Sequence, residues 1–98
     1  MFDKMKQLMD MQKSMQELKR QLDKTNFDVS SGDGLVKINM NGAQKVISTQ
    51  INGELSGLDK LALERAVTDA YNRAVKQAQE LAALKLKNIS GLNLPGQI

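Results

Sequence analysis

The most constraining feature of this chain is a stretch from Leu58 to Ile89 that contains neither glycine nor proline. Alanine recurs at every fourth position through it, so in a helix these small side chains form one row that lets another backbone come close. The stretch therefore predicts one long helix at 58–88. Its start is expected near Ser56 or Asp59, because these two residues are spaced like a capping box. The alanines of the row are Ala62, Ala66, Ala70, Ala74, Ala78 and Ala82.

A second stretch without glycine or proline, from Asp3 to Lys24, predicts an N-terminal helical arm. Its apolar residues alternate at spacings of three and four, which is the heptad pattern of a helix with a single apolar seam. The pattern leaves two interpretations open, since the arm can pack on the core of its own domain or on a second chain. The residues of the seam are Leu8, Met11, Met15, Leu18 and Leu22.

Between the two helices, apolar and polar residues alternate in runs that predict a three-stranded antiparallel sheet within 27–51. The pair Asn41-Gly42 falls between two of these runs, and it tolerates the positive φ angles of a two-residue type I′ turn. We therefore predict a tight hairpin at this point. The facing pairs of that hairpin would be Met40 with Ala43, Ile38 with Lys45, and Val36 with Ile47.

This register predicts a sheet with one apolar and one polar face, because alternate residues of a strand point to opposite sides. The apolar face is expected to be core and the other face to be mostly hydrated. The predicted core face consists of Val36, Ile38, Met40, Ile47 and Ile51.

The two predicted helices are too long for one small domain. About 30 helical residues span roughly 45 Å, whereas a compact domain of about 100 residues is only about 35 Å across. A two-fold symmetric partner would supply a second copy of each apolar stripe. We therefore predict an α+β homodimer, intertwined or packed through its sheets and helices. Its predicted interface residues are Leu63, Val67, Ala70, Tyr71, Ala74, Val75, Ala78, Val36 and Ile38.

The residue types of common catalytic chemistry are scarce. The 98 residues include no cysteine and no histidine, which removes the usual thiol nucleophile, the commonest general base and two main metal ligands. The acidic residues are scattered singly, and Gly32-Asp33-Gly34 lacks the lysine and further glycines of a phosphate-binding motif. We expect no catalysis, no metal, no other cofactor and no small-molecule substrate.

The length predicts a single domain at 1–98. Its parts would be the arm at 3–24, the sheet at 27–51, the long helix at 58–88 and a short tail at 89–98 that carries the stop signals Gly91 and Pro95. The first residues mix charged with apolar side chains, and no apolar run approaches membrane-spanning length. We expect a cytosolic protein without membrane contact.

Basic residues form a repeating pattern on the arm. Lys6, Lys13 and Arg20 recur every seven residues on the side opposite the seam, where such a basic stripe can follow nucleic-acid phosphates. Each follows an acid by three residues, so a solvated face of ion pairs is the competing interpretation. With only two Phe and one Tyr, stacking on single strands is not expected, which favours contact with a duplex backbone. The candidate DNA-binding residues, chosen by charge geometry, are Lys4, Lys6, Lys13, Lys19, Arg20, Lys24, Lys85 and Lys87.

Five short motifs follow one another along the chain: the Met/Gln-rich segment 9–16, Gly34-Leu35-Val36-Lys37, Asn41-Gly42, Ala70-Tyr71-Asn72-Arg73-Ala74 and Leu94-Pro95-Gly96. In order and spacing they resemble the YbaB/EbfC family of bacterial nucleoid-associated proteins. The resemblance implies a homodimer whose N-terminal helices project like tweezer arms. It also implies binding of double-stranded DNA in the nucleoid with loose sequence preference, with effects on gene expression or DNA protection. Arg73 departs from the family pattern, which usually has an acid there.

Two functions therefore remain open on the sequence. The first is a dimeric, largely sequence-independent DNA binder that uses the basic residues of its arms. The second is a protein-interaction adaptor whose Met-rich seam grips a partner helix or peptide, because methionine repacks readily against different surfaces.

Overall fold

The computed structural model describes residues 2–90, with side chains at 3–54 and 56–88. It confirms the predicted α+β fold with two long helices and a three-stranded antiparallel sheet. The tail beyond residue 90 lies outside the described residues. The elements are helix α1 at Phe2–Lys24, strands β1 at Asn26–Ser30, β2 at Val36–Asn41 and β3 at Val46–Ile51, a 3₁₀ turn at Leu55–Gly57, and helix α2 at Lys60–Ser90.

Helix α2 begins directly after Asp59. The Asp59 carboxylate accepts a hydrogen bond from the Ala62 N–H at 3.2 Å, and the Asp59 carbonyl accepts one from the Leu63 N–H at 3.0 Å. This is the geometry of an N-cap residue, which satisfies N–H groups that the first turn of a helix leaves unpaired. Of the two predicted start points, Asp59 is therefore correct.

Strand β2 lies in the middle of the sheet, with β1 and β3 on its two edges. It pairs with β1 through Phe27 opposite Met40 and Val29 opposite Ile38. The connection between them is closed by the Ser31 N–H, which donates to the Val36 carbonyl at 2.8 Å. Both neighbours of β2 are antiparallel to it, as the sequence predicts.

The hairpin between β2 and β3 exists, but the predicted two-residue turn is wrong. The Asn41 N–H donates to the Lys45 carbonyl at 2.9 Å, and the residue with positive φ is Gln44, at 67°. A loop of three residues whose last member is left-handed is the next commonest hairpin connection after the two-residue turns. The Asn41 side chain holds this loop by accepting hydrogen bonds from the N–H groups of Ala43 and Lys45.

The longer loop changes the register of the hairpin. Three pairs differ from the prediction, because a bulge near Met40 also adds an unpaired residue on β3. Val36, Ile38 and Met40 are buried as predicted, but Ile47 and Ile51 are 50% and 40% exposed, so their assignment to the core is wrong. The observed pairs are Met40 with Val46, Ile38 with Thr49, and Val36 with Ile51.

Gly42 serves a close approach between two backbones. Its N–H donates to the carbonyls of Leu22 and Thr25, at 2.9 and 3.0 Å, so the hairpin loop binds the C-terminal end of α1. A Cβ atom at this position would lie 2.8 Å from Leu22 Cδ2 and 3.1 Å from the Leu22 carbonyl oxygen. Only glycine fits there without displacing the arm.

The core lies between α2 and the middle strand. Four alanines of the predicted row, Ala66, Ala70, Ala74 and Ala78, are completely or almost completely buried, and they pack on the buried side chains of β2. Their small size brings the helix close to the sheet. The packing role predicted for the alanine row is confirmed over these four positions.

This packing corrects five of the predicted dimer-interface residues. Their side chains are between 0% and 3% exposed within a single chain, so they have almost no surface left for a partner. The apolar face that sequence alternation revealed is filled by the chain's own helix. The five residues are Val36, Ile38, Ala70, Ala74 and Ala78.

Strand β3 receives no such cover, and every residue along it is exposed. Val46 and Ile51 lie opposite buried residues of β2, so they point to the same side of the sheet as the helix. On α2, Asp69 comes one residue before a buried alanine and lies near the β1–β2 connection. Val67 and Tyr71 each come one residue after a buried alanine, so they lie on the opposite side of the helix, above β3. We call Val46, Ile51, Val67 and Tyr71 the uncovered flank.

The chain is strongly elongated. It measures 67 × 26 × 16 Å, and its radius of gyration is 18.6 Å, against about 13 Å for a compact domain of this length. The C-terminal part of α1, where Leu18 is buried, packs on α2, while the side chains from residue 3 to 13 are all exposed. We call α1 the arm. Its first half, the outer segment, projects away from the body of the molecule, and its second half, which packs on the body, is the root of the arm.

We expect Gly42→Ala to reduce the free energy of unfolding by about 1–3 kcal/mol, because the added methyl group would overlap Leu22 and force the arm away from the sheet. Urea unfolding followed by circular dichroism measures this change. The matched control is Gly57→Ala, where no neighbouring atom lies within 4 Å of the added Cβ. Equal stability of the two variants would contradict the proposed role of Gly42.

Candidate nucleic-acid interface

The basic stripe of α1 lies on the exposed arm. Lys6, Lys13 and Arg20 are all exposed, and successive members are separated by seven residues, or about 10.5 Å along the helix axis. They point away from the side of the helix that carries the buried Leu18. Three cationic groups are thus presented in a line by a single rigid element.

Ion pairing neutralises one of these three groups. Arg20 binds Glu17 through two hydrogen bonds, of which the bond from Nε to Oε2 measures 2.8 Å. These bonds, helped by Gln21, lower the pKa of Glu17 to about 2, and they raise the pKa of Arg20. The interpretation as a solvated face of ion pairs therefore holds at the root of the arm.

The outer part of the stripe differs. Within residues 2–90, Lys6 and Lys13 form no ion pair, although Asp3 and Asp10 precede them at the same spacing. A lysine ammonium that no carboxylate holds is available to an external anion. The structure thus separates a neutralised root from an outer segment that keeps its positive charge.

The other candidate cations are spread over two ends of the arm. Lys4 lies on the outer segment and Lys19 near the root, both exposed, and Lys24 occupies the last turn of α1. Leu81 and Leu84 of α2 share an open depression with Thr25 and Phe27 at the root. Lys24 and Lys85, each one residue from this depression, therefore lie at the same junction, with Lys87 close behind in the last turn of α2.

The outer face of the sheet is closer to neutral. Lys37 lies 3.6 Å from a carboxylate oxygen of Asp28, and Asn39 donates a hydrogen bond of 2.8 Å to the other oxygen. The bond from Asn39, with a smaller effect of Lys37, lowers the pKa of Asp28. The one cation of the central strand is therefore already paired, and the sheet offers less free positive charge than the arm.

Arg73 has a structural partner that the sequence did not reveal. It forms an ion pair of 2.9 Å with Asp69, one helical turn earlier. Asp69 also accepts a hydrogen bond from the Gly32 N–H at 2.8 Å, and this bond, together with Arg73, lowers the pKa of Asp69. The pair fastens the β1–β2 connection to α2, so Arg73 is not a free cation.

Sequence reasoning missed two members of the uncovered flank, because it assigned Ile51 to the core and gave no role to Val46. The widths of the predicted elements could have indicated that both residues are exposed. Adjacent strands lie about 4.8 Å apart and a helix is about 10 Å wide, so one helix covers about two strands of a three-stranded sheet. One helix alone therefore leaves one strand of such a sheet without cover.

In the part of the chain that the structure describes, no group of three or more acidic, cysteine or histidine side chains is placed to hold a metal ion. No helix among these residues is both long and apolar enough to span a membrane.

An extended α+β chain with a charged helical arm and an exposed apolar flank belongs to the class of binding proteins, since its free surfaces offer charge and apolar contact. The model of the YbaB/EbfC DNA-binding family matches residues 1–92. The chain belongs to this family, as the resemblance of its motifs predicts.

Similar proteins agree with this assignment. A nucleoid-associated protein of Clostridium novyi is 34% identical over 94 residues, which cover 94% of this chain and 82% of that protein. A nucleoid-associated protein of Thermoanaerobacter pseudethanolicus is 32% identical over 93% of this chain and 84% of its own length. The crystal structure of an uncharacterized protein from Helicobacter pylori matches with a TM-score of 0.76 and 26% identity, over 92% of this chain and 97% of that one.

Proposed function

We propose that this chain is a nucleoid-associated protein that binds duplex DNA as a homodimer, with little sequence preference. The observation that carries the proposal is the pair of unpaired lysines, Lys6 and Lys13, on the exposed outer segment of the arm. Family membership and the names of the relatives support it. The protein would act in the cytoplasm, at the nucleoid, by binding and not by catalysis.

The chemistry of the arm suits phosphates more than bases. Lysine ammonium groups spaced along a rod can each meet a phosphate, and each contact releases condensed counterions from the duplex. Reading a base sequence instead requires side chains that form paired hydrogen bonds with base edges, most often Arg, Asn or Gln held in a groove. Arg20, the one arginine of the basic stripe, is occupied by Glu17.

Double-stranded DNA is the favoured nucleic acid because the chain offers few surfaces for stacking. Phe27 is half-buried against the core, and Tyr71 lies on the uncovered flank. Single-strand binders usually combine positive charge with several exposed aromatic rings. The adaptor function, in which the seam grips an unrelated protein, is not favoured by the family to which the chain belongs.

The homodimer rests on the uncovered flank. Its four side chains are between 39% and 45% exposed, and two of them, Val46 and Ile51, lie opposite buried residues of β2. A second copy related by two-fold symmetry would place the same flank against it, so each chain would cover the strand that the other leaves open. Of the predicted interface residues, Leu63, Val67, Tyr71 and Val75 remain available for this contact, because they lie on that side of α2.

DNA binding is tested by a titration against a duplex at several salt concentrations. We expect log affinity to fall steeply with log salt, and the double variant Lys6→Gln/Lys13→Gln to bind more weakly with a slope that is smaller by about 4, or roughly one for each of four lost phosphate contacts in a dimer.

The control for this titration is Lys45→Gln/Lys60→Gln, which removes the same charge from exposed positions off the arm. The proposal predicts a slope close to that of the wild type for this control. Equal losses in the two double variants would show that net charge, and not the arm, governs binding. Absence of salt-dependent binding by the wild type would refute the proposed function.

The dimer is tested by light scattering at micromolar concentration. The wild type should have about twice the 10.8 kDa mass of one chain. Val67→Asp should raise the dissociation constant of the dimer at least about tenfold, because it places a charge in the buried interface. Asn72→Asp, an exposed position on the outer side of the same helix, should leave the dimer intact. A wild type with the mass of a monomer would contradict this part of the proposal.

A further inference from the structure

The apolar seam of α1 is left without cover along the outer half of the arm. Leu8, Met11 and Met15 are 66%, 60% and 49% exposed, whereas Leu18, the next seam residue toward the root, is 7% exposed. The seam thus continues outward from a packed contact into a stretch of little more than one heptad that no described residue covers. We call these three residues the exposed seam.

Between Leu8 and Met15 the positions that flank the seam carry no charge. Gln7, Gln12 and Ser14 occupy the flanking rows of the heptad, which in paired helices face the flanking rows of the partner. Lys4, one turn farther out, occupies a seam position and marks the outer end of this uncharged stretch. Along 8–15, two copies of the surface can therefore approach each other without repulsion between like charges.

The exposed seam and the basic stripe lie on opposite sides of one helix. In heptad terms Leu8 and Met11 are at positions a and d, while Lys6 and Lys13 are at position f, which points the other way. When the stripe faces a duplex, the seam faces away from it. Two arms that hold the same duplex between them would then turn their seams away from each other, so the partner of a seam must belong to another dimer.

We infer that the exposed seam binds the exposed seam of an arm from a second DNA-bound dimer, and that this contact makes DNA binding cooperative. The inference rests on the proposed function. The exposed seam is little more than one heptad long, against the three or four heptads over which coiled coils are usually sustained, so the contact is too short to hold free dimers together. Binding to the same duplex places the arms side by side, which raises the effective concentration of one arm near another. Methionine suits a contact that forms and separates repeatedly.

Cooperativity is tested with two duplexes of different length. A duplex of about 20 base pairs spans about 68 Å, close to the 67 Å long dimension of one chain, and is chosen to hold a single dimer. The other duplex is four times as long. The wild type should bind the long duplex cooperatively, at a midpoint concentration that is lower by about tenfold, a usual magnitude for coupling between sites.

The variant Met11→Ser/Met15→Ser should bind the short duplex with unchanged affinity and lose the cooperativity on the long one. Its control is Met9→Ser/Gln16→Ser, two residues at heptad position b, which lies off the seam and should leave cooperativity intact. Circular dichroism checks that both variants keep their helices.

A direct measurement uses Met11→Cys, because the chain has no other cysteine. Oxidation should join dimers by a disulfide when they are bound to the long duplex but not when DNA is absent.

The results separate this inference from the proposed function. Binding of the short duplex combined with non-cooperative binding of the long one would overturn the inference and leave DNA binding in place. Cooperativity that survives Met11→Ser/Met15→Ser would also overturn it, since another surface would then join the dimers. Failure of the wild type to bind either duplex would overturn both proposals.

Discussion

Backbone hydrogen bonds between the hairpin loop and the end of α1 hold the arm in its place. The Gly42 N–H reaches the carbonyls of Leu22 and Thr25, and the Asn41 side chain donates to the Asp23 carbonyl at 3.3 Å. These bonds satisfy carbonyl groups that the last turn of a helix leaves unpaired. Because the loop directly follows the central strand of the sheet, the direction of the arm is coupled to the core, and every surface on the arm depends on that direction.

The candidate functional surfaces are apolar side chains that the described helices leave exposed. One helix fills the space above the two strands that it can reach, which leaves β3 open, and the arm extends beyond the other described elements, so that none of them buries the outer part of its apolar seam. A protein of this size can tolerate such exposure when association buries it. We therefore attribute the uncovered flank to the dimer and the exposed seam to contacts between dimers, while the unpaired lysines on the other side of the arm remain for DNA.

Periodicity predicted the elements because it depends on neighbours within one segment. The alanine row, the alternation around Ile38 and the cap at Asp59 all act locally, and the structure agrees with each. The predicted turn is wrong because the loop is held by the Asn41 side chain and by a distant contact between Gly42 and Leu22, and no local pattern reveals the second of these. Likewise, alternation identifies an apolar face without telling whether the chain's own helix or a partner fills it, and the pairing of Glu17 but not of Asp10 depends on side-chain conformations.

The central claim is that DNA contacts the outer, basic side of the arm. Acylation of lysine side chains, read by mass spectrometry with and without a duplex, measures it most directly on the unmodified protein. The account predicts strong protection of Lys6 and Lys13 by DNA and little change at Lys45 and Lys60. Protection of Lys45 and Lys60 while Lys6 and Lys13 stay reactive would contradict it.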